Sequence, residues 1–372
     1  MELLNDLYGT IGHLLSTKAG IILITIIFLA FVFDYINGFH DAANSIATIV
    51  ATKVLTPFQA VLWAAAFNFV AYFISVFWIG EFKIGNTIAK SVNENFITLE
   101  VILAGIIAAI SWNLITWKFG IPSSSSHTLI GGFIGAAIMH AIMNPEIGSI
   151  QDVVVYNKVI PIFLFIFLAP LIGMLLASTI TLIILQLCKK AKPNIAEWWF
   201  KKLQLVSSAL FSLGHGMNDA QKVMGIIGAA VIFYHLNIDY DPAYVNAEDK
   251  FGYFVNHWGW VPITSFIIIG LGTMAGGWKI IKTMGSKITK VTPLEGVASE
   301  TAGAITLYIS EHFGIPVSTT HTITGSIIGV GMVKRVSAVR WGVTISLLWA
   351  WILTIPVSAI IAAICYFIIT IF

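Results

Sequence analysis

GIPSSSSHTLIGGFIG at 120–135 and GIPVSTTHTITGSIIG at 314–329 are two copies of one segment, related by a shift of 194 residues. Gly120, Ile121, Pro122, His127, Thr128, Gly131, Ile134 and Gly135 all meet identical partners, too many to be coincidence. A second pair, NGFHDAAN at 37–44 and HGMNDAQK at 215–222, is related by 178 residues and matches at Gly38, Asp41 and Ala42. The chain is therefore duplicated. Each half runs from an Asp motif through apolar spans to a motif of Pro, Ser/Thr and His.

What surrounds these motifs decides the solvent. Of 372 residues, 58% are hydrophobic and only 10% charged, with mean hydropathy +0.89. No soluble domain of this size hides so much apolar surface, so the solvent is lipid. Apolar runs long enough to cross ~30 Å of hydrocarbon, about 20 residues each, lie at 20–51, 57–80, 97–140, 159–187, 204–235, 260–280, 296–333 and 341–371. The acidic stretch before Gly20 lacks a small-residue cleavage pattern and is not read as a removable signal peptide. A net charge of +2 gives no reason to expect a nucleic-acid partner.

Basic clusters fix the topology by the positive-inside rule. Lys189, Lys190, Lys192, Lys201 and Lys202 surround Pro193 and make the central linker cytoplasmic. Lys279, Lys282, Lys287 and Lys290 form a second inner cluster, and Lys334, Arg335 and Arg340 a third. The segment 296–333 lies between two inner clusters, so it is a hairpin; run backwards, the same parity makes 97–140 a hairpin opening outward. Both termini then lie outside and the halves are inverted. The expected fold is an all-α polytopic membrane protein with two inverted repeats, 1–187 and 204–372, joined by the cytoplasmic linker 188–203.

Each hairpin carries Gly-Ile-Pro within an apolar run, and proline disfavours helix at the residue before it. Ser123, Ser124, Ser125 and Ser126 follow the first break and Ser318, Thr319 and Thr320 the second, all suited to cap a restarted helix. A helix N-terminus offers free N–H donors and positive potential, an anion site without a basic side chain. The alternative is that these hydroxyls only satisfy backbone freed by proline; breaking both repeats at matched places favours a shared substrate site. Ser124, Ser125, Ser126, His127 and Thr128, with Ser318, Thr319, Thr320, His321 and Thr322, are the candidate anion-binding residues. The two histidines fit either an anion contact or a structural hydrogen bond.

Asp41 and Asp219 stand at matched positions, and an ionised carboxylate at membrane depth costs roughly 2.5–3.5 kcal/mol on insertion scales. Asn44 lies one turn from Asp41, and Asn218 adjoins Asp219. Such hard oxygen ligands suit Na+, or a proton on the carboxylate. For Asp219, a purely structural pairing with Lys222 is the competing reading. Glu300, in the first limb of the second hairpin, is a third coupling candidate, and His40, Gln221 and Lys222 are secondary ones. Asp34, seven residues before Asp41, fits either a supporting residue behind the site or an interfacial charge. Inverted repeats with matched helix breaks point to a secondary transporter whose site lies at the repeat interface. Cys188 and Cys365 form no framework. The chain has no Walker A loop, HExxH, GxSxG or CxxC, so it is not read as an enzyme.

NGFHDAANSIATIVATKVLTP, GIPSSSSHTLIGGFIGA, GHGMNDAQKVMGIIGA and GIPVSTTHTITGSIIGVG resemble, in order and over nearly the whole chain, the four signature segments of the inorganic phosphate transporter (PiT, or PHO4) family. The resemblance implies a PiT-type secondary transporter with re-entrant helical hairpins and phosphate held between the Ser/Thr-His tips. It also implies cation coupling at Asp41 and Asp219, with Glu300 the matching acid. His40 before Asp41 resembles the bacterial low-affinity branch regarded as proton-coupled, and Asn68 stands where animal members place a glutamate. The function expected is Na+- or H+-coupled phosphate symport across the cytoplasmic membrane; a sulfate symporter is the alternative, and an anion channel a remote one. The expected partners are inorganic phosphate, free or as a metal–phosphate complex, the lipid bilayer, and a second copy in a homodimer. No cofactor is expected beyond phosphate and the coupling cation.

Overall fold

The computed structural model describes residues 12, 14–277, 280–281 and 283–371. Lys279 and Lys282 of the second basic cluster, and the acidic residues near the start of the chain, lie outside that set. Among the described residues regular structure is helical, save for an isolated Val92–Val154 bridge. The first half comprises α1 (Lys18–Ala51), α2 (Pro57–Ile74, prolonged by a π-turn over Ser75–Ile79), short α3 (Lys83–Ala89), α4 (Leu99–Phe119), α5 (Ser125–Met143) and α6 (Tyr156–Leu187). The second comprises α7 (Pro193–Asn237), short α8 (Pro242–Asn246) and α9 (Lys250–His257), α10 (Trp260–Ala275), α11 (Pro293–Phe313), α12 (Thr319–Lys334) and α13 (Trp341–Ile371). Six of these helices are long and apolar enough to span a bilayer, and the bent pair α9–α10 makes a seventh when counted as one span.

Helices lie over each of the expected apolar runs, but α7, α11 and α12, in the runs 204–235 and 296–333, are not among these six. Residues 193–203 of the linker are helical: Pro193 occupies the first turn of α7, which runs 45 residues without interruption. Proline is tolerated there because a first-turn N–H has no intrahelical acceptor.

Polarity is distributed for lipid. Phe163, Phe167, Leu171 and Leu182 of α6 and Ile345, Ile352, Ile360 and Phe367 of α13 are exposed, whereas Asp34, Asp41, Asp219, Lys222 and Glu300 are buried. An interior rich in polar groups under an apolar exterior is stable where water cannot reach the outside. This is a multi-pass membrane protein.

The helices pack in matched sets: α1 against α4, α7 and α10, and α7 against α11, α1 and α2. The last helix of each half crosses over, α6 lying along α12 and α13 along α5. Glycine permits that approach: a Cβ on Gly135 would stand 2.2 Å from the Ala359 carbonyl oxygen, and one on the equivalent Gly329 2.3 Å from that of Met174.

Both hairpins turn by the same device. Gly120 and Gly314 end α4 and α11 with φ of +66° and +64°, a conformation that costs glycine nothing. The next amides close the turns, Ile121 N donating to Thr116 O at 2.9 Å and Ile315 N to Ser310 O at 3.0 Å. Two prolines and two short extended stretches later, Ser124 and Ser318 cap α5 and α12, accepting from His127 N at 3.3 Å and His321 N at 3.2 Å.

Candidate functional site

The two hairpin tips meet and are joined reciprocally. Ser126 Oγ donates to the Val317 carbonyl at 3.0 Å, and Thr320 Oγ1 donates to the Ser123 carbonyl at 3.2 Å. These bonds are equivalent under the repeat, so a local two-fold relation passes between the tips. Behind them the His127 and His321 rings lie 4.9 Å apart, and His321 stacks on Trp351 of α13 at 4.0 Å. Thr128 and Thr322 turn back to their own helices, donating to the carbonyls of Ser124 and Ser318 at 2.8 and 2.9 Å. All ten candidate anion residues are buried at this junction, with the first turns of α5 and α12 converging on it.

Asp41 lies against both tips. Its Oδ2 accepts from Ser125 Oγ at 3.2 Å and from Thr319 Oγ1 at 3.4 Å, while Oδ1 lies 2.9 Å from His40 Nδ1. Asn44, one turn on, donates to Thr319 Oγ1 at 3.0 Å and Thr320 Oγ1 at 2.9 Å. His40 Nε2 in turn meets Thr116 Oγ1 at 3.3 Å and Ser123 Oγ at 3.4 Å, themselves hydrogen-bonded at 2.9 Å.

Asp219 is held differently. Lys222 Nζ stands 2.6 Å from its Oδ1; Asn37 Nδ2 donates to Oδ2 at 3.2 Å, and His215 Nε2 is 3.7 Å from the same oxygen. Ligand atoms of Asp41, His215 and Asp219 nevertheless all lie within 4.8 Å of one another, so both Asp motifs share one buried centre. Two carboxylates and His215 Nε2, which has no hydrogen-bond partner, thus bring three potential cation ligands together, with the Lys222 ammonium already against one of them.

The remaining candidates lie elsewhere. Asn218 reaches Ser310 Oγ at 3.5 Å rather than the shared centre. Gln221 bonds Glu311 Oε1 at 2.7 Å and accepts from the amide of Ile84 at 3.0 Å, bracing α3 against the second tip. Glu300 occupies its own pocket, accepting from Thr48 Oγ1 at 2.6 Å, Gln204 Nε2 at 2.9 Å and Ser207 Oγ at 2.5 Å. Thr48 is seven residues past Asp41 on α1, which puts this pocket about 10 Å further along the helix axis.

Sequence reasoning left out His215, Asn37, Thr116 and the Thr48–Gln204–Ser207 set around Glu300. For the first two the signal was present: the 178-residue shift places Asn37 over His215, and both converge on Asp219. Asn68 bonds His215 Nδ1 at 3.2 Å and Thr273 Oγ1 at 2.9 Å, tying α2 to α7 and α10 just behind the centre.

Comparison with known proteins agrees with this architecture. A solved structure described as "The sodium-dependent phosphate transporter" superposes with a TM-score of 0.76 at 22% identity, covering 94% of this chain and 99% of that one. A probable low-affinity inorganic phosphate transporter of Rhizobium meliloti is 46% identical over 95% of this chain and 98% of its own. One of the same description from Bacillus subtilis is 42% identical over 94% and 97%. The model of the phosphate transporter family PHO4 matches residues 37–362, and the chain belongs to that family.

Proposed function

We propose that this protein is a cation-coupled symporter of inorganic phosphate in the cytoplasmic membrane, operating by alternating access between two inverted halves with both termini outside. The observation that carries the reading is the position of Asp41, whose carboxylate oxygen bonds hydroxyls at the starts of both α5 and α12. Those first turns present amides with no intrahelical acceptor and the positive ends of two helix dipoles, a setting for a tetrahedral oxyanion. An ionised Asp41 at the same point repels that anion. A cation on the carboxylate, H+ or Na+, removes the repulsion, so cation binding precedes phosphate binding and the two travel together.

The shared centre of Asp41, His215 and Asp219 is the seat this reading assigns to the cation. Lys222 already neutralises one of the two carboxylates, which leaves a single uncompensated charge for the cation to cancel. The names of the curated relatives support phosphate as the cargo. For the cation, the sodium-dependent neighbour supports Na+, whereas His40 beside Asp41 supports H+.

Labelled phosphate uptake into proteoliposomes under imposed gradients tests the proposal. Accumulation above equilibrium is expected with an inward H+ or Na+ gradient, with excess phosphate but not sulfate abolishing it. Asp41→Asn is expected to remove gradient-driven accumulation. Uptake indifferent to both gradients rejects symport.

A further inference from the structure

Asp34 is 0% exposed, and neither of its carboxylate oxygens has a hydrogen-bond donor. That excludes an interfacial charge. Every other fully buried acid in the core is provided for: Asp41 by hydroxyls and His40, Asp219 by Lys222 and Asn37, Glu300 by three donors. A carboxylate without donor or counter-ion in such a place costs several kcal/mol and does not persist ionised.

One turn along the same face, Asn37 has a complementary defect. Its amide nitrogen donates to Asp219, but its carbonyl oxygen is buried and without a donor. Residues three apart on a helix are neighbours. A single proton on Asp34 removes the unpaired charge and turns one of its oxygens into a donor, beside a neighbour whose buried carbonyl oxygen lacks one. Sodium does not solve the problem as well, because a metal seat needs several converging ligands, and the ligand cluster among the described residues joins Asp41, His215 and Asp219 without Asp34. Asn37, one turn from Asp34, donates to Asp219 in the shared centre.

Position along α1 agrees. Asp34, Asp41 and Thr48, which holds Glu300, recur at seven-residue intervals, about 10 Å apart on one face. The groups that bear on Asp34 are few. His40 and Asp41 follow on its own helix; α7 presents Asp219, Lys222 and His215; α11 presents Glu300 beside Thr48, four turns away, and α12 His321 behind its tip. Helix α10 has no titratable side chain and α2 only Tyr72, while the charged residues of α4, Glu100 and Lys118, stand at its two ends.

Resting on the symport reading above, we propose that Asp34 is the proton carrier of the transport cycle: it takes one proton from the water on one side and releases it on the other. Asn37 reports its state to Asp219. The proton is neither consumed nor produced, and the carboxyl returns to its starting state in each cycle.

The experiment uses the full chain in proteoliposomes, comparing wild type with Asp34→Asn, which mimics the protonated form, and Asp34→Glu. For each proton carried, one unit of imposed pH gradient supports about tenfold more phosphate accumulation. Wild type is expected to follow that slope. Asp34→Asn is expected to lose it while still exchanging internal for external phosphate at equal pH, and Asp34→Glu to restore it. The changing ionisation of phosphate itself affects all three proteins alike. Infrared spectroscopy of the phosphate-free protein gives an independent readout: the C=O stretch of a protonated carboxyl, present in wild type and missing in Asp34→Asn. A wild-type slope in Asp34→Asn, an unchanged infrared band, or loss of exchange together with accumulation in a monodisperse variant each overturns the proposal. Wild type that accumulates nothing under either gradient sinks the symport reading instead, and the infrared band still decides whether Asp34 holds a proton.

Discussion

Asp41 and Asp219 occupy equivalent positions in the two repeats, yet their surroundings differ in the one respect that matters to an ion. Both are buried in the same centre, and both have a polar residue one turn later. In the first repeat that residue is Asn44, which binds the hydroxyls of the second tip; in the second it is Lys222, which binds Asp219 itself. Asp41 therefore hydrogen-bonds both hairpins, while the hydrogen-bond and ion-pair partners of Asp219 among the described residues are Lys222, Asn37 and His215. Duplication has kept the scaffold symmetric, as the paired caps, turns and tip-to-tip bonds show. The charges have diverged: Asp219 is paired with the Lys222 ammonium, whereas Asp41 is held by His40 and hydroxyls.

Removing that ammonium is the most direct way to break the contrast. Lys222→Met leaves Asp219 as an uncompensated charge in a fully buried site, and the loss of one partner from a buried pair costs about 3–5 kcal/mol. The expected result is a large drop in the midpoint of unfolding in detergent. Replacing both partners, with Asp219→Leu added, is expected to recover most of it, because two apolar side chains leave no orphaned charge. Lys222→Asn sharpens the comparison differently: it makes the second motif a copy of the first, and the variant is expected to need an additional cation, read as a steeper dependence of uptake on cation concentration. If Lys222→Met unfolds at the wild-type midpoint, the pair is not what holds Asp219.

The scaffold is expected to respond symmetrically where the charges do not. Gly135→Ala and Gly329→Ala each drive a methyl against a backbone carbonyl of the helix crossing over from the other half, at 2.2 and 2.3 Å. Backbone cannot step aside as a side chain does, and overpacking of this kind costs about 1–3 kcal/mol. Equal losses at the two positions, measured as unfolding midpoints, follow from equivalent packing of α13 on α5 and α6 on α12. A loss confined to one of them shows that the halves are not packed alike.

Much of this was legible in the sequence, for physical reasons. Span positions follow from hydrocarbon thickness, the helix breaks from Gly120-Ile-Pro122 and Gly314-Ile-Pro316, and the caps from Ser124 and Ser318, all of which are local. The internal match announced that both tips mattered. What could not be read was which faces of α1 and α7 meet. Asn218 adjoins Asp219 in sequence but points toward Ser310, because consecutive residues on a helix diverge by about 100°. Glu300 could be recognised as a buried acid but not as one standing two turns from Asp41, since its donors come from α1 and α7 and no sequence period links them. Asp34 was legible as an acid in an apolar span, and only burial distinguished its two readings.

The smallest expected effect concerns the tips themselves. Ser126→Ala removes the hydroxyl that reaches the Val317 carbonyl, and Thr320→Val the one that reaches the Ser123 carbonyl; a single such bond contributes about 0.5–1.5 kcal/mol. Thr320 also accepts from Asn44, so its loss is expected to fall at the upper end of that range and Ser126 at the lower. The informative variant is the double one. If the two bonds only hold the tips at a common distance, removing the second after the first releases a constraint already loosened, and the combined loss falls short of the sum. If instead each positions its own helix start for the anion, the losses add, and phosphate affinity measured by equilibrium binding declines by the product of the single effects. Additivity thus separates a clasp between the hairpins from two independent halves of one binding site, and the pseudo-two-fold arrangement of Ser126 and Thr320 makes the measurement clean because each variant serves as the control for the other.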